Sequence, residues 1–421
     1  MSDPKTEYTQ FNDFFIEKLD LILDSGDIVS LLDLYAEINF YQDVFGSPMF
    51  CEIEITDALD LYSNLPIKNT ENLEIWFNSP GSDVVKKTMR LYSRENVLLK
   101  ENGKVTYYTL RFVSPETYFN LNIKNSRSYS GKISDIVGAI WSENFSTPIT
   151  IEETDSEYTL VLPYENPFAH IDFLTKKALR ATNNNECNFV FYEDFNGFNF
   201  VSLSTMFTQP LRGVFSYDSK LTPPPNESVI TGSRVRIQEL DFLGLENLID
   251  ETSNGLYNGY VNSHDIKNKK ISQGLKYSYS EAFDQITHLN SHPLAPAEIY
   301  EKSGPLSSYQ NRFSGVFPTD VSLKRQSQMN SLLNKRLRFL TAGSSSTNAG
   351  DRIKLDFVRQ SGVEFDSNFL DKYRSGYYIV SSVKHTINKL NGYTMTVEAC
   401  TDSYANPLPT VSNFESKVPG V

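Results

Sequence analysis

Period-two alternation of apolar and polar residues constrains the fold of this 421-residue chain more than any other pattern. In the segment 49–56, Cys51, Ile53 and Ile55 alternate with Glu52, Glu54 and Thr56. The segment 73–77 repeats the alternation. This is the pattern of strands with one buried and one wet face. The segment Asn102-Gly103 lies between two apolar runs and predicts a tight hairpin, so the region 11–122 is predicted to be mostly β.

The C-terminal region returns to strand patterns, with Asn391-Gly392 as a second hairpin signal. Strands are predicted at 336–340, 351–357, 377–388 and 393–401. Aromatic residues make up 13% of the chain, with 28 Phe and 24 Tyr, and such side chains favour sheets and contact surfaces. The chain is therefore predicted to begin and end with sheet-rich domains of similar size.

Helical periodicity separates these two regions. Ile133, Ile136, Val137 and Ile140 share one face of a predicted helix, and further helices are predicted at 169–181 and 320–334. The predicted class is α+β, mainly β, with two antiparallel barrel-like domains and an inserted α+β domain. The predicted segments are a first barrel 11–122, an inserted domain 123–215, an irregular segment 228–320 contributing to both neighbours, a second barrel 321–405 and a tail 406–421.

Composition excludes several classes of protein. No apolar run reaches the length of a membrane helix and the N-terminus opens polar, so neither membrane insertion nor a secretory leader is predicted. The three cysteines include no CxxC pair. The net charge is −13, and residues 1–122 hold 20 acids and 10 bases. This excess disfavours tight binding to nucleic acid, although solubility alone also explains it.

The chain offers little catalytic or metal-binding chemistry. His288 and His292 have the i, i+4 spacing of helical zinc ligands, but Pro293 disfavours a helix there. Ser381 and Lys384 spell S-x-x-K within a predicted strand, where the two side chains point to opposite faces. No catalytic residue, metal site or cofactor is predicted.

Glu193 and Asp194 are adjacent acids beside an Asn-Gly turn. Neighbours in a strand do not face one cleft, as the two carboxylates of a glycosidase must. We interpret them as surface decoration of a hairpin.

Five bases lie between positions 320 and 351 without an acid, namely Lys324, Arg325, Lys335, Arg336 and Arg338. Two interpretations remain open. The run is either a solvated face or a contact to an acidic neighbour.

The order of these features resembles that of the baseplate hub proteins of contractile-tailed bacteriophages and, more distantly, the N-terminal half of type VI secretion spike proteins. The stretches that carry the likeness are 38–45 (INFYQDVF), 50–57 (FCEIEITD), 112–116 with 126–137 (FVSPE, SRSYSGKISDIV), 349–355 (AGDRIKL) and 376–385 (GYYIVSSVKH). The likeness spans about 15–405. The proline-rich loops 221–226 and 291–318 have no counterpart in it.

The resemblance implies a virion protein, assembled in the host cytoplasm, that forms a homotrimer with two barrels per chain around one axis. Such a ring would join a hexameric tail tube protein to a trimeric central spike, contact other baseplate proteins and let DNA pass without specific binding. Candidates for the channel wall are Glu52, Glu54 and Glu74, which face either the lumen or the outside. Candidates for subunit contacts are Arg325, Arg336, Arg338 and Trp76.

Two other functions remain as alternatives. One is a tail-tip enzyme that degrades cell-wall polymer, which requires two carboxylates facing one cleft. The other is a host-glycan binding module that uses exposed aromatic residues such as Trp76 and Tyr257.

Overall fold

A 13-stranded sheet dominates the computed structural model, which describes residues 12–64, 67–100, 105–217, 235–243, 247–266, 268–294, 306–312, 321–358 and 370–408. The predictions for the loop 221–226, for the turn 101–104 and for most of 291–318 lie outside the described residues. Among those described, none of the helices is long and apolar enough to cross a membrane.

The N-terminal β domain consists of seven strands around one apolar core. The alternation predicted for 49–56 is confirmed, because Cys51, Ile53 and Ile55 are fully buried. Its elements are β1 (Phe15–Ile22), β2 (Ile28–Ser30), β3 (Tyr35–Asp43), β4 (Gly46–Asp57), α1 (Leu61–Asn64), β5 (Asn72–Asn78), β6 (Val85–Lys100) and β7 (Val105–Val113). They lie in the order β3-β4-β7-β6-β5-β1-β2.

The inserted domain packs helices against two small sheets. The predicted apolar face of its main helix is confirmed, since Ile133, Ile136, Val137 and Ile140 are buried around Trp141. Its elements are α2 (Pro115–Asn122), β8 (Ser128–Lys132), α3 (Ile133–Asn144), β9 (Ile149–Ile151), β10 (Glu157–Val161), α4 (Pro167–Thr175), β11 (Phe189–Asp194), β12 (Gly197–Ser202) and α5 (Leu203–Thr208).

Helix α4 ends six residues before the predicted position 181. The backbone N–H groups of Lys177 and Ala178 both donate to the carbonyl of Leu174, at 3.0 Å each. The bond from Lys177 spans three residues instead of four and tightens the last turn, and the chain then pairs through Arg180 with Thr154 and Asn183.

The C-terminal domain is a closed barrel of six strands, since β19 pairs with both β13 and β20. Its elements are β13 (Gly213–Tyr217), β14 (Val235–Phe242), β18 (Lys335–Ala342), β19 (Arg352–Phe357), β20 (Gly376–Asn388) and β21 (Gly392–Thr401). Strand β13 spans the predicted segment boundary at 215 and belongs to the barrel. The barrel joins the N-terminal β domain because the second half of β20 pairs with β3.

A small three-stranded sheet with its helices is inserted in the sequence between strands β14 and β18 of the barrel. Its elements are α6 (Leu248–Ser253), β15 (Asn258–Asp265), β16 (Lys270–Ser278), α7 (Tyr279–Phe283), β17 (Leu306–Arg312) and α8 (Val321–Asn334). The prediction of a loop throughout 291–318 is wrong for β17, which pairs in parallel with β15. Parallel pairing with a distant strand leaves no local hairpin signal.

Gly343 provides a test of the packing where the two β domains meet. A Cβ at this position would overlap the ring of Tyr393, which is fully buried. We expect Gly343→Ala to lower the free energy of unfolding by about 1–3 kcal/mol, the usual range for overpacking. Gly138→Ala is the control, because its Cβ would meet Ile151 at an ordinary 3.6 Å. Equal denaturation midpoints for the two variants would contradict this description.

Candidate assembly surfaces

Eight consecutive antiparallel strands form one polar face that crosses both β domains. Their order is β14-β18-β21-β20-β3-β4-β7-β6. Along β3, β4, β7, β20 and β21 the buried side chains alternate with partly exposed ones. We call this surface the polar sheet face.

Glu52 lies on the polar sheet face within a network of charges. Its carboxylate accepts a hydrogen bond from the Tyr41 hydroxyl at 3.0 Å and pairs with Arg111 Nε at 2.9 Å. Arg111 Nη1 also contacts Glu95 at 2.9 Å. Arg111 thus compensates the charge of Glu52. The alternation pattern of β4 did not indicate this partner, because Arg111 lies on another strand.

Glu54, the second acid of this strand, lies beside another acid. It lies opposite Glu37 on β3, and its side chain is exposed. Partial burial raises the pKa of the Glu54 carboxyl, the charge of Glu37 raises it further, and Lys384 opposes both. Glu37 and Glu54 form a small acidic spot on the polar sheet face.

Glu74 lies on β5, outside the eight strands. Lys18 Nζ contacts its carboxylate at 2.6 Å and that of Asp20 at 3.8 Å. Two ammonium groups contact the neighbouring Trp76 ring, with Lys18 Nζ at 5.3 Å and Lys86 Nζ at 4.1 Å from the ring centroid. Trp76 is half-buried by these contacts within its own chain.

The bases between positions 320 and 351 have different partners in the structure. Arg325 Nη1 donates to the carbonyls of Cys187 at 3.1 Å and Phe189 at 2.8 Å, and burial lowers the pKa of its guanidinium. The guanidinium of this predicted subunit-contact residue thus binds carbonyls of its own chain. Arg338 pairs with Glu398 on the polar sheet face.

Arg325 is expected to stabilise the contact between α8 and the inserted domain. Replacing it with methionine removes two charge-assisted hydrogen bonds, so we expect the free energy of unfolding to fall by about 1.5–3 kcal/mol. The matched Arg336→Met change, at an exposed position of β18, should stay within about 0.5 kcal/mol of the unmodified protein. Chemical denaturation measures both, and equal effects would contradict the internal role of Arg325.

A groove of about 660 Å³ opens on the polar sheet face where the two β domains meet. Tyr41, Phe50, Arg111, Lys384 and Glu398 are among its lining residues. Two of its three acids, Glu52 and Glu398, are held by arginines, an arrangement typical of structural ion pairs, and the third, Asp43, accepts a hydrogen bond from the Phe45 backbone N–H.

Glu193 and Asp194 are buried, so their interpretation as surface decoration is wrong. They are 4% and 7% exposed. Glu193 accepts hydrogen bonds from the Met49 backbone N–H at 3.0 Å and from the Ser114 hydroxyl, and its other oxygen lies 3.6 Å from Lys87 Nζ. Burial raises the pKa of Glu193, and Lys87 opposes this effect. The pair ties the inserted domain to the N-terminal β domain.

Phe195, at the tip of the same hairpin, packs into the core of the N-terminal β domain. Its ring lies 5.4 Å from that of Phe40, 5.6 Å from that of Phe77 and 4.9 Å from that of His385. Asn348 Oδ1 accepts from the Phe195 N–H at 3.4 Å. The tip therefore joins all three domains at one point.

The two histidines with metal-like spacing have different partners within the chain. His288 Nδ1 contacts Asp402 Oδ2 at 2.7 Å, and its ring stacks on Phe283 at 3.7 Å. His292 instead forms a backbone bridge with Tyr404. Within the described ranges no group of three or more potential ligands is arranged to hold a metal ion.

The sequence was compared with protein-family models and with known proteins. A scan of protein-family models finds no match. The probable baseplate hub protein gp334 of Vibrio phage KVP40 is 24% identical over 427 residues, which cover 93% of this chain and 94% of the relative. The resemblance to phage baseplate hub proteins is confirmed.

Solved structures support the fold. The tail protein from Neisseria meningitidis MC58 has a TM-score of 0.56 at 8% identity and covers 93% of this chain and 97% of its own. The 43 kDa tail protein of prophage MuSo2 from Shewanella oneidensis has a TM-score of 0.55 at 9% identity and covers 92% and 99%. The predicted fold class, mainly β with barrel domains, is confirmed.

Proposed function

We propose that this chain is the structural hub of a phage baseplate. In this proposal it is a homotrimer in the virion tail, without catalytic activity, that joins the tail tube protein to the central spike and to other baseplate proteins. DNA passes along its axis without specific binding. The observation that carries the proposal is the equivalence of the two β domains.

The two β domains have their strands in the same chain order and the same neighbour order. The neighbour order is β3-β4-β7-β6-β5-β1 in the N-terminal domain and β14-β18-β21-β20-β19-β13 in the C-terminal domain. Strands at the same place in the two orders correspond to each other. Strand β13 differs from β1 in running parallel to its neighbour. Three copies of such a chain present six similar β domains, which suits contact with a sixfold tube on one side and a threefold spike on the other.

Two irregularities in the ladders match between the two domains and align them residue by residue, whereas those after Glu95 in β6 and after Tyr41 in β3 have no counterpart. In both β6 and β20 one extra residue interrupts the ladder, Tyr92 in the first and Ser381 in the second. In both β3 and β14 another extra residue does so, Ala36 and Gln238 respectively. Bulges at matching places in matching strands are typical of one structural unit present twice.

A charge-reversed ion pair follows from the same alignment. Counting from the bulges, Glu52 of β4 corresponds to Arg338 of β18, and Arg111 of β7 corresponds to Glu398 of β21. Each domain therefore carries one arginine–carboxylate bridge at the same position, with the roles of the strands exchanged.

We place the polar sheet face toward the channel, with Glu52 and Glu54 on its wall and Glu74 near its margin. Acids and bases both occur there, and ion pairs compensate Glu52 and Glu398. A wall without a continuous array of bases binds duplex DNA weakly, because few counterions are released on contact. Local pairing of charges thus distinguishes this wall from one lined by uncompensated acids.

The experiment that tests the proposal is native mass spectrometry of the purified full-length chain of 47.9 kDa. We expect a species of three times this mass that persists on dilution, since obligate interfaces bury upward of about 2,000 Å². Monomers and dimers alone, also after addition of the tail tube and spike proteins, would contradict the proposal.

A further inference from the structure

Two strand edges at opposite ends of the polar sheet face have no backbone partner among the described residues. The second half of β6 pairs only with β7. Strand β14 pairs with β18 along its length but with β13 only at Val235 and Arg236. Apolar side chains are exposed at both edges: Leu98 is 57%, Leu99 69% and Phe242 41% exposed. Open edges of this kind accept another strand.

The chain itself shows how an equivalent pair of edges is used. The first half of β20 pairs with β19 within its own barrel, and the second half pairs with β3 of the other domain. In this internal seam Thr386 lies opposite Asn39 and donates to it at 2.8 Å. Asn388 lies opposite Glu37 and donates to it at 2.9 Å.

The pairings with β7 and β21 transfer this register to β6, which has a second irregularity between Glu95 and Leu98 that β20 lacks. Leu98 lies opposite Tyr107, which precedes Arg111 by four residues on β7. Thr386 lies opposite Thr394, which precedes Glu398 by four residues on β21. Leu98 thus takes the place of Thr386. By the same count Lys100 takes the place of Asn388.

The transfer to β14 follows from the other bulge. Glu239 is the first paired residue after the extra residue Gln238, as Glu37 is after Ala36. Two residues further along, Asp241 takes the place of Asn39.

We propose that the second half of β6 pairs antiparallel with β14 of a second copy of this chain, with Leu98 opposite Asp241 and Lys100 opposite Glu239. This inference rests on the proposed homotrimer and specifies its interface. Lys100 and Glu239 are opposite charges at the position where Asn388 and Glu37 form a hydrogen bond in the internal seam. Repetition around a threefold axis would close the polar sheet face into a ring and leave neither edge open.

Disulfide trapping tests the register. In the full-length chain carrying Leu98→Cys and Asp241→Cys, opposite Cα atoms in the seam would lie about 4.5–5.5 Å apart, within the range of a disulfide. The native cysteines Cys51, Cys187 and Cys400 are buried and should not compete. Under mild oxidation we expect most chains to migrate as covalent trimers, with each chain bonded to the next.

The control is Leu98→Cys with Arg236→Cys. Position 236 lies five residues from position 241 on β14, which is about 17 Å at the rise of a strand. We expect no cross-link from it. If native mass spectrometry finds a trimer but the first pair stays reduced, or both pairs react equally, the seam is wrong while the homotrimer stands. If no trimer exists, the proposed function fails together with the seam.

Discussion

Replacing Lys87 with methionine should lower the free energy of unfolding by about 3–5 kcal/mol at pH 8, the cost of leaving a buried charge without its partner. The partner is Glu193, 4% exposed, with an oxygen 3.6 Å from Lys87 Nζ. Lys87 also donates to the backbone carbonyl of Asp194 at 2.9 Å. Methionine keeps the length of the side chain, so the loss reports mainly on the charge.

The loss should depend on pH with a definite sign. Burial already raises the pKa of Glu193 above its ordinary value of 4.5, so the folded protein holds this proton more tightly than the unfolded chain does. The ionised carboxylate therefore costs stability as the pH rises above 4.5, and removing Lys87 raises the folded pKa further. We expect a smaller difference between Lys87→Met and the unmodified protein at pH 5 than at pH 8.

The control is the double variant Lys87→Met, Glu193→Gln. Glutamine is neutral and still offers an oxygen to the Met49 N–H and to Ser114. We expect it to recover a large part of the stability lost at pH 8. Urea denaturation at both pH values measures these effects, and a loss that is independent of pH and not recovered would contradict the ion pair.

Phe195→Ala should be similarly costly, with a fall of about 3–5 kcal/mol in the free energy of unfolding. The ring is 8% exposed and contacts Phe40 and Phe77, which are fully buried. Because Phe195 belongs to the inserted domain, the cavity would open at the junction between domains. We expect the inserted domain to exchange its amide hydrogens faster in this variant.

Phe173→Ala is the matched control for Phe195→Ala. Phe173 belongs to the same domain but is 39% exposed on α4, so its loss should cost much less. Denaturation and hydrogen exchange measured by mass spectrometry compare the two variants. Equal losses would show that the tip of the hairpin does not join the domains.

The local features of the fold were predictable from the sequence because they depend on neighbouring residues. Alternation gives the buried face of β4, the helical period gives that of α3, and Asn391-Gly392 marks the hairpin of β20 and β21, where Gly392 has a φ of +79°. The equivalence of the two β domains is not visible in the sequence, because bulges and strand order survive changes of nearly every side chain.

Contacts between distant segments account for the errors. Glu193 and Asp194 have the pattern of a surface turn, and only the docking of their hairpin against β4 and β6 buries them. Arg325 belongs to a run of bases, but the carbonyls that bind it follow a separate helix and loop. Charge runs and adjacent acids therefore predict exposure only where no other domain packs against them.

A cryo-electron microscopy reconstruction of the purified full-length assembly tests the central claim most directly. We expect three chains in a ring of six barrels around an open axis, with the polar sheet face and Glu52 and Glu54 toward the lumen. The internal seam between β20 and β3 should alternate with a similar seam between β6 and β14 of neighbouring copies. An assembly without a threefold axis, or one with Glu52 and Glu54 on its outer perimeter, would contradict the account.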